Sequence, residues 1–493
     1  MKLRTFSIAL ILLFALLCGT LAGCTSTPDT PDTDSAEQTT NSESATLPEA
    51  PSVTIEAAGD SATVTTAQGL SYTASGYDAV SDTAFGFESG LILSFGEQFT
   101  DEFNRFTMKY TATAPMKITI SYTEKDEPMQ DVFYLEAGEH EFRAVNHKYF
   151  QKVRGTSLVT VQIDTCEKKS AEFILLDLFT ENIAVGKSEQ FLEGSRYTLG
   201  VDLRWGGAIH SLEDKQCPIE NVSNLVNMHD EGRLIQQSYY GTFYYADRYE
   251  EGGYLGQEGV AYNPVQGGDV KGRDSRIIDF VIEENSIYIK AQPLDWPMSN
   301  SLTPSYMENK YVMEDDYVYV YNRFIDFSGW EHPVLDQELP AVYTVNVLDT
   351  FVWYNGDNAW SGDELTFIDD WSKIDPATNK SMHYLIRQGA NTETWCALIN
   401  AETQYGVGIY VPNTDKVLAM RYKSGQKGSN QGKGDPCSYM CPINYMQIVS
   451  YQPIEYTYLL TAGGLDEMRA LFTEHKDYDT NASLDVKVPS KNP

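Results

Sequence analysis

An all-β fold, a smaller sandwich of stacked sheets followed by a larger one, is what the sequence predicts. Apolar side chains recur with period two in many short runs, Gly or charged turns separate those runs, and a helical period is sustained in one place only. In MKITISY, Met116, Ile118, Ile120 and Tyr122 share one face and Lys117, Thr119 and Ser121 the other, the alternation of a half-buried antiparallel strand. VFYLEAGEHEFRAV, SLVTVQID and AEFILLDLF continue the pattern, so residues 53–183 are expected to form a β-sandwich. Strands resume over 184–480 in SIYIKAQ, YVYVYNRFIDF, AVYTVNVLDTFVWY, TWCALIN, YGVGIYV and YMQIVSYQPIEYTYLL. DDYVYVYNRF sets Tyr317, Tyr319 and Tyr321 against Val318 and Val320, an aromatic face backed by an aliphatic one. The helical candidate is LDEMRALFTEH at 465–475, with Leu465, Met468, Leu471 and Phe472 on one stripe. Residues 481–493 are read as a tail.

The N-terminus is an address rather than a fold element. MKLRTFSIALILLFALLCGTLAGC places Lys2 and Arg4 before an apolar run and small residues, as a secretory signal does. The run from Phe6 to Leu21 is short for a membrane span. Its end, Leu21-Ala22-Gly23-Cys24, resembles the bacterial lipoprotein lipobox. That resemblance implies a signal peptide at 1–23, lipidation of Cys24, and a lipid anchor to the cell envelope facing outside the cytoplasm. Residues 24–52 are rich in Ser, Thr, Asp and Pro and poor in large apolar side chains, so they cannot offset their ordering entropy and are expected to be a solvated tether.

Charge and cysteine content remove several functions. Asp plus Glu outnumber Lys plus Arg by 70 to 36, a formal net charge of −34, and nucleic acid is excluded as a partner because binding it needs a clustered basic face. Beyond Cys18 and Cys24 five cysteines remain, too few for a disulfide framework; Cys437-Ser-Tyr-Met-Cys441 is a candidate loop disulfide. No second pair of ligands matches it, so no metal is expected, and no cofactor motif is present. KSGQKGSNQGKGD, 423–435, lacks phosphate-loop spacing and reads as a mobile surface loop.

RWGGAIHSLED, NLVNMHDEGRLIQQSYYG, YNPVQGGDV and QELPAVY together resemble the galactose-mutarotase-like supersandwich found in several glycoside hydrolases, lyases and sugar epimerases. The smaller sandwich resembles the jelly-roll carbohydrate-binding modules of bacterial glycan-active enzymes. These resemblances imply a glycan or oligosaccharide partner lying across the concave sheet of the larger sandwich. The mutarotase pattern of an Asn-Arg pair with separate His and Glu is not reproduced, so epimerase activity is not carried over.

Sugar sites combine planar polar side chains for adjacent hydroxyls, aromatic faces for C–H surfaces, and carboxylates where protons move. Asn227, His229, Asp230, Arg233, Gln236, Gln237 and Tyr239 cluster in one such stretch. If it is a strand, Arg233, Ile235, Gln237 and Tyr239 share one face and Leu234, Gln236, Ser238 and Tyr240 the other. Asn263, Gln266 and Asp269 surround Gly267-Gly268, where the backbone can approach a ligand or simply turn; Trp296 is a stacking platform or a core residue. Glu338 stands in an apolar stretch, the setting of a carboxyl with a raised pKa or of a structural ion pair. Hydrolysis needs two carboxylates across the scissile bond, and Glu338 with Asp230 or Asp269 is the expected catalytic set. A non-catalytic glycan-binding lipoprotein uses the same surface without chemistry. A polysaccharide lyase would draw a base and a cation from His210, His229, Tyr239 and Arg233.

Overall fold

The computed structural model describes residues 53–99, 103–124, 127–145, 156–183, 186–242, 262–298, 300–372, 374–375, 380–381, 384–387, 393–414, 416–422, 432–478 and 480. The expected signal peptide, Cys24, the tether and most of the 423–435 loop lie outside them.

Two antiparallel sheets come first. One has seven strands, in the order Val53–Ala58, Ser61–Thr66, Ser71–Ser75, Leu91–Ser94, Thr156–Thr165, Met116–Glu124 and Glu127–Leu135; the other has five, Gly138–Val145, Arg105–Ala112, Ala171–Glu181, Phe85–Phe87 and Ala79–Val80. The period-two side chains Met116, Ile118, Ile120 and Tyr122 all point into the core between these sheets, where they meet Met108, Tyr110, Phe173 and Leu175. Alternation is kept because one face of each strand must leave water while the other keeps it.

Two larger sheets follow. A ten-stranded sheet carries, in order, Glu189–Glu193, Tyr197–Asp202, Ala208–Asp214, Ile235–Ser238, Glu331–Val345, Cys437–Val449, Lys416–Tyr422 and Tyr384–Arg387, with Pro264–Val265 and Leu294–Asp295 added beside Ile235–Ser238. Its partner has nine strands, from Arg276–Ile282 through Ser286–Gln292, Ser305–Met313, Val318–Asp326, Ile454–Gly464, Tyr405–Tyr410, Trp395–Ile399 and Thr350–Trp353 to Thr366–Ile368. Ile209, Ile235, Val342 and Met440 of the first sheet meet Ile289, Val318, Val320 and Ile409 of the second. The helix Leu465–Glu474 covers the outer face of the nine-stranded sheet: Leu465, Met468 and Phe472 bury against Trp395, Tyr410 and Leu459, with Tyr317 and Tyr319 beside them. Both faces of DDYVYVYNRF are therefore used, Val318 and Val320 toward the partner sheet and Tyr317 and Tyr319 toward the helix.

The smaller sandwich's apolar cluster runs on into Ile278, Tyr306 and Ile325 of the nine-stranded sheet and Phe327 just after it. Charged pairs flank that seam: Arg276 meets Asp131 at 3.1 Å, Arg323 meets Glu136 at 2.5 Å, and Arg143 meets Asp279 at 2.6 Å. Burial pushes Asp279 up to about 6, although Arg143 and Arg105 oppose it.

One local expectation resolves differently. Cys437 and Cys441 form no disulfide and lie on one strand. Four extended residues span about 13 Å, too far for a disulfide. The Trp205-Gly206-Gly207 turn lies ahead of the strand Ala208–Asp214, with Gly206 at φ 58° and Gly207 at φ 75°. A Cβ on Gly206 would stand 2.3 Å from the Gln266 carbonyl oxygen, so the turn admits no side chain there.

Candidate functional site

Polarity on both sides of Ile235–Ser238 has a separate cause on each side. Toward the partner sheet, Gln237 is wholly buried, and its amide donates to the Glu308 carbonyl and to Asn309 Oδ1 at 2.9 Å each while accepting from the Tyr239 hydroxyl at 2.9 Å. Tyr239 is stacked on Phe324 with centroids 4.1 Å apart. These two residues are satisfied interior groups. On the other side, Gln236, Ser238 and Tyr240 line a cavity of about 320 Å³.

Arg233 lines the same cavity, against the simple parity that would place it with Gln237. Leu234 is the reason: at φ 77° it leaves the extended region and reverses the alternation. This left-handed conformation is costly for a residue with a Cβ. Leu234 is fully buried and exchanges backbone bonds with Asn227 at 3.0 Å and Tyr343 at 3.0 Å, which hold it there.

Register brings in the acid. Ile235 pairs with Val342, Gln236 with Ala341 and Ser238 with Glu338, so Glu338 stands beside Ser238 on the cavity face. Tyr240 donates to Glu338 Oε1 at 3.1 Å, and Tyr439 donates to the same oxygen. Burial raises the Glu338 pKa above the usual carboxylate range; hydrogen bonds from Tyr439, Ser238 and Tyr240 pull the other way and are outweighed. Burial also pushes both tyrosines well up, so they stay hydroxyl donors.

The other acid has an ionic setting. Asp230 is half-exposed, accepts from the Gly232 amide at 3.1 Å and pairs with Arg233 Nε at 3.3 Å. Arg233 in turn meets Asp435 at 3.0 Å and lies over the Tyr422 ring at 5.2 Å. Trp296 forms a half-buried wall, and Gly232 makes room for it: a Cβ there would stand 2.2 Å from the indole. Asn263 closes the floor, its side-chain amide donating to the Tyr239 carbonyl at 2.8 Å. Gln236 lines the cavity, but its amide is engaged by the Glu231 carbonyl at 2.9 Å and the Gly267 amide at 2.7 Å.

Six expected residues thus converge: Asp230, Arg233, Gln236, Asn263, Trp296 and Glu338. The others lie elsewhere. Asp269 is fully buried and accepts from the amides of Lys271 at 2.8 Å, Arg273 at 3.1 Å and Asn300 at 2.7 Å, with the Arg273 guanidinium at 3.4 Å. Gln266 accepts from the Gln237 amide at 3.0 Å and donates to the Gly206 carbonyl at 2.9 Å, tying the Gly-Gly turn to the central strand. Gly267 and Gly268 approach Glu231 and Arg273 rather than an opening. Asn227 donates to the Gly434 carbonyl at 2.7 Å and His229 contacts the Lys433 carbonyl at 3.0 Å, so both fasten the segment that carries Asp435. His210 is buried between Trp205 and Phe191, and burial lowers its pKa.

Tyr343, Tyr422 and Tyr439 were not singled out from the sequence. Tyr240 shares parity with Gln236 and Ser238, a legible signal. Tyr422 and Tyr439 come from distant strands whose neighbours only pairing reveals.

No protein-family model matches the chain, and no curated protein does. Solved structures do. A galactose mutarotase related enzyme from Lactobacillus acidophilus is 10% identical with a TM-score of 0.36, covering 56% of this chain and 97% of that one. A galactose mutarotase-like protein from Lactobacillus casei is 10% identical with a TM-score of 0.37, covering 56% and 99%. A 4-alpha-glucanotransferase from Thermococcus litoralis is 11% identical with a TM-score of 0.32, covering 56% and 39%.

Proposed function

We propose that this is a lipid-anchored, extracytoplasmic carbohydrate-active protein that holds a sugar unit in the cavity and hydrolyses its glycosidic bond. The observation that supports it is the gathering of Asp230 and Glu338, with Trp296, Arg233 and Asn263, around one cavity of about 320 Å³. Their surroundings differ. Burial favours the protonated form of Glu338, which suits donation to a leaving oxygen; Asp230, half-exposed and 3.3 Å from the Arg233 guanidinium, is the second carboxylate this reading uses, for attack or activation of water. Trp296 supplies an apolar face for the sugar ring. Cys24 anchors the chain, and 24–52 holds it off the bilayer.

Incubation of the whole chain in detergent with a glycan panel, scored for new reducing ends, tests the reading; Glu338→Gln should abolish product while keeping ligand retention. Retention without product would instead favour simple glycan binding, a reading supported by the ion pair that already occupies Asp230. Unsaturated products would indicate lyase chemistry, for which Arg233 is the cation on hand, while His210 and Tyr239 lie away from the cavity. Metabolic palmitate labelling lost in Cys24→Ser would support the anchor.

A further inference from the structure

The seam between the two sandwiches encloses a second, larger cavity of about 670 Å³. Its lining comes from both sides: Lys117, Tyr134, Asp164 and Lys168 from the smaller sandwich, Phe327 and Trp330 from the larger. We propose that this seam cavity is a second carbohydrate-binding cleft, taking a neutral oligosaccharide; the proposal rests on the reading of the protein as carbohydrate-active.

The lining carries the argument. Tyr134 and Trp330 are half-buried rings of the lining, and the buried Phe327 stacks on Tyr134 with centroids 5.4 Å apart at 18° and braces it. Such flat rings suit the C–H face of a pyranose. Lys117 and Lys168 are exposed at the rim, and Glu88 and Asp164 balance them in formal charge. Rings with both donors and acceptors, and no net charge, match a polyhydroxylated neutral ligand better than an anion or an apolar one.

The cleft is preformed. Arg276 bridges to Asp131 at 3.1 Å and to the Val132 carbonyl at 3.1 Å, and the Tyr134 amide donates to the Tyr306 hydroxyl at 2.7 Å, so both walls are fixed without a ligand. Less ordering is then required on binding. The first cavity is close by: Trp330 meets Tyr262 edge-on at 5.4 Å, and the next residue, Asn263, lines that cavity.

Calorimetric titration of the whole chain in detergent with cello-, xylo-, manno- and galacto-hexaoses tests the cleft, with oligogalacturonate as the charged control. Two classes of site are expected for at least one neutral hexaose. Trp330→Ala should weaken one class about tenfold or more and leave the other. The Lys117→Ala/Lys168→Ala double variant, altered only at exposed positions, should weaken that same class, which guards against a folding defect in the Trp330 variant. Trp296→Ala should remove the other class alone. Binding lost entirely in Trp296→Ala and unchanged in both seam variants would overturn the second cleft while leaving the first reading intact. A seam class that takes only oligogalacturonate would overturn the neutral assignment, and no binding of any kind would overturn both readings.

Discussion

Asp269 and Glu338 are both acidic side chains of the larger sandwich, and their surroundings are opposite. Asp269 is enclosed by three backbone amides and a guanidinium, so both of its carboxyl oxygens are engaged and its geometry is fixed. Among the described residues, Glu338 meets hydroxyls at the edge of a cavity, and burial disfavours its charge. A carboxylate that accepts from amides and an arginine works as a joint in the chain. One that meets neutral donors beside a cavity is held less firmly in its charged form.

The difference can be tested at each residue. The largest effect is expected at Asp269→Ala, which strands the amides of Lys271, Arg273 and Asn300; a loss of about 3–5 kcal/mol should appear in urea denaturation at neutral pH. Equal losses for Asp269→Ala and Glu338→Gln would erase the distinction. Next, Glu338→Gln should lower turnover about 100-fold or more on any glycan the protein cleaves, measured by reducing-end release. Arg233→Ala comes third: by removing the partner of Asp230 and the cation over Tyr422, it should weaken glycan binding about tenfold, read by calorimetry. The smallest effect is a pH dependence. Because the folded-state pKa of Glu338 is raised, its stabilising contribution is complete below the unfolded-state value and is lost as pH rises through the folded value. Glu338→Gln should therefore gain melting temperature relative to the parent at neutral pH and lose that advantage in acid; a constant difference across the range would show that Glu338 does not titrate abnormally.

Much of the strand pattern was legible because a strand's period is two whatever its neighbours do. Met116, Ile118, Ile120 and Tyr122 needed only one wet face and one dry face, and Leu465, Met468 and Phe472 needed only a stripe against a sheet. The candidate site was partly legible. Asp230, Arg233, Gln236, Asn263, Trp296 and Glu338 could be suspected from their chemistry, yet nothing local separated them from Asp269, Gln237 or Gln266, which have the same chemistry and interior roles.

Composition and spacing alone determined an all-β chain with two runs of strands, one late helix and a strongly acidic balance. Those features depend on local periodicity and summed charge. Only the tertiary structure decided which polar side chains share a cavity. That outcome depends on the reversed conformation of Leu234, which turns Arg233 into the cavity, and on the strand register that sets Ser238 beside Glu338. It depends also on Tyr439, brought to Glu338 from about a hundred residues away. Long-range pairing of strands creates these neighbours, and local periodicity carries no information about them.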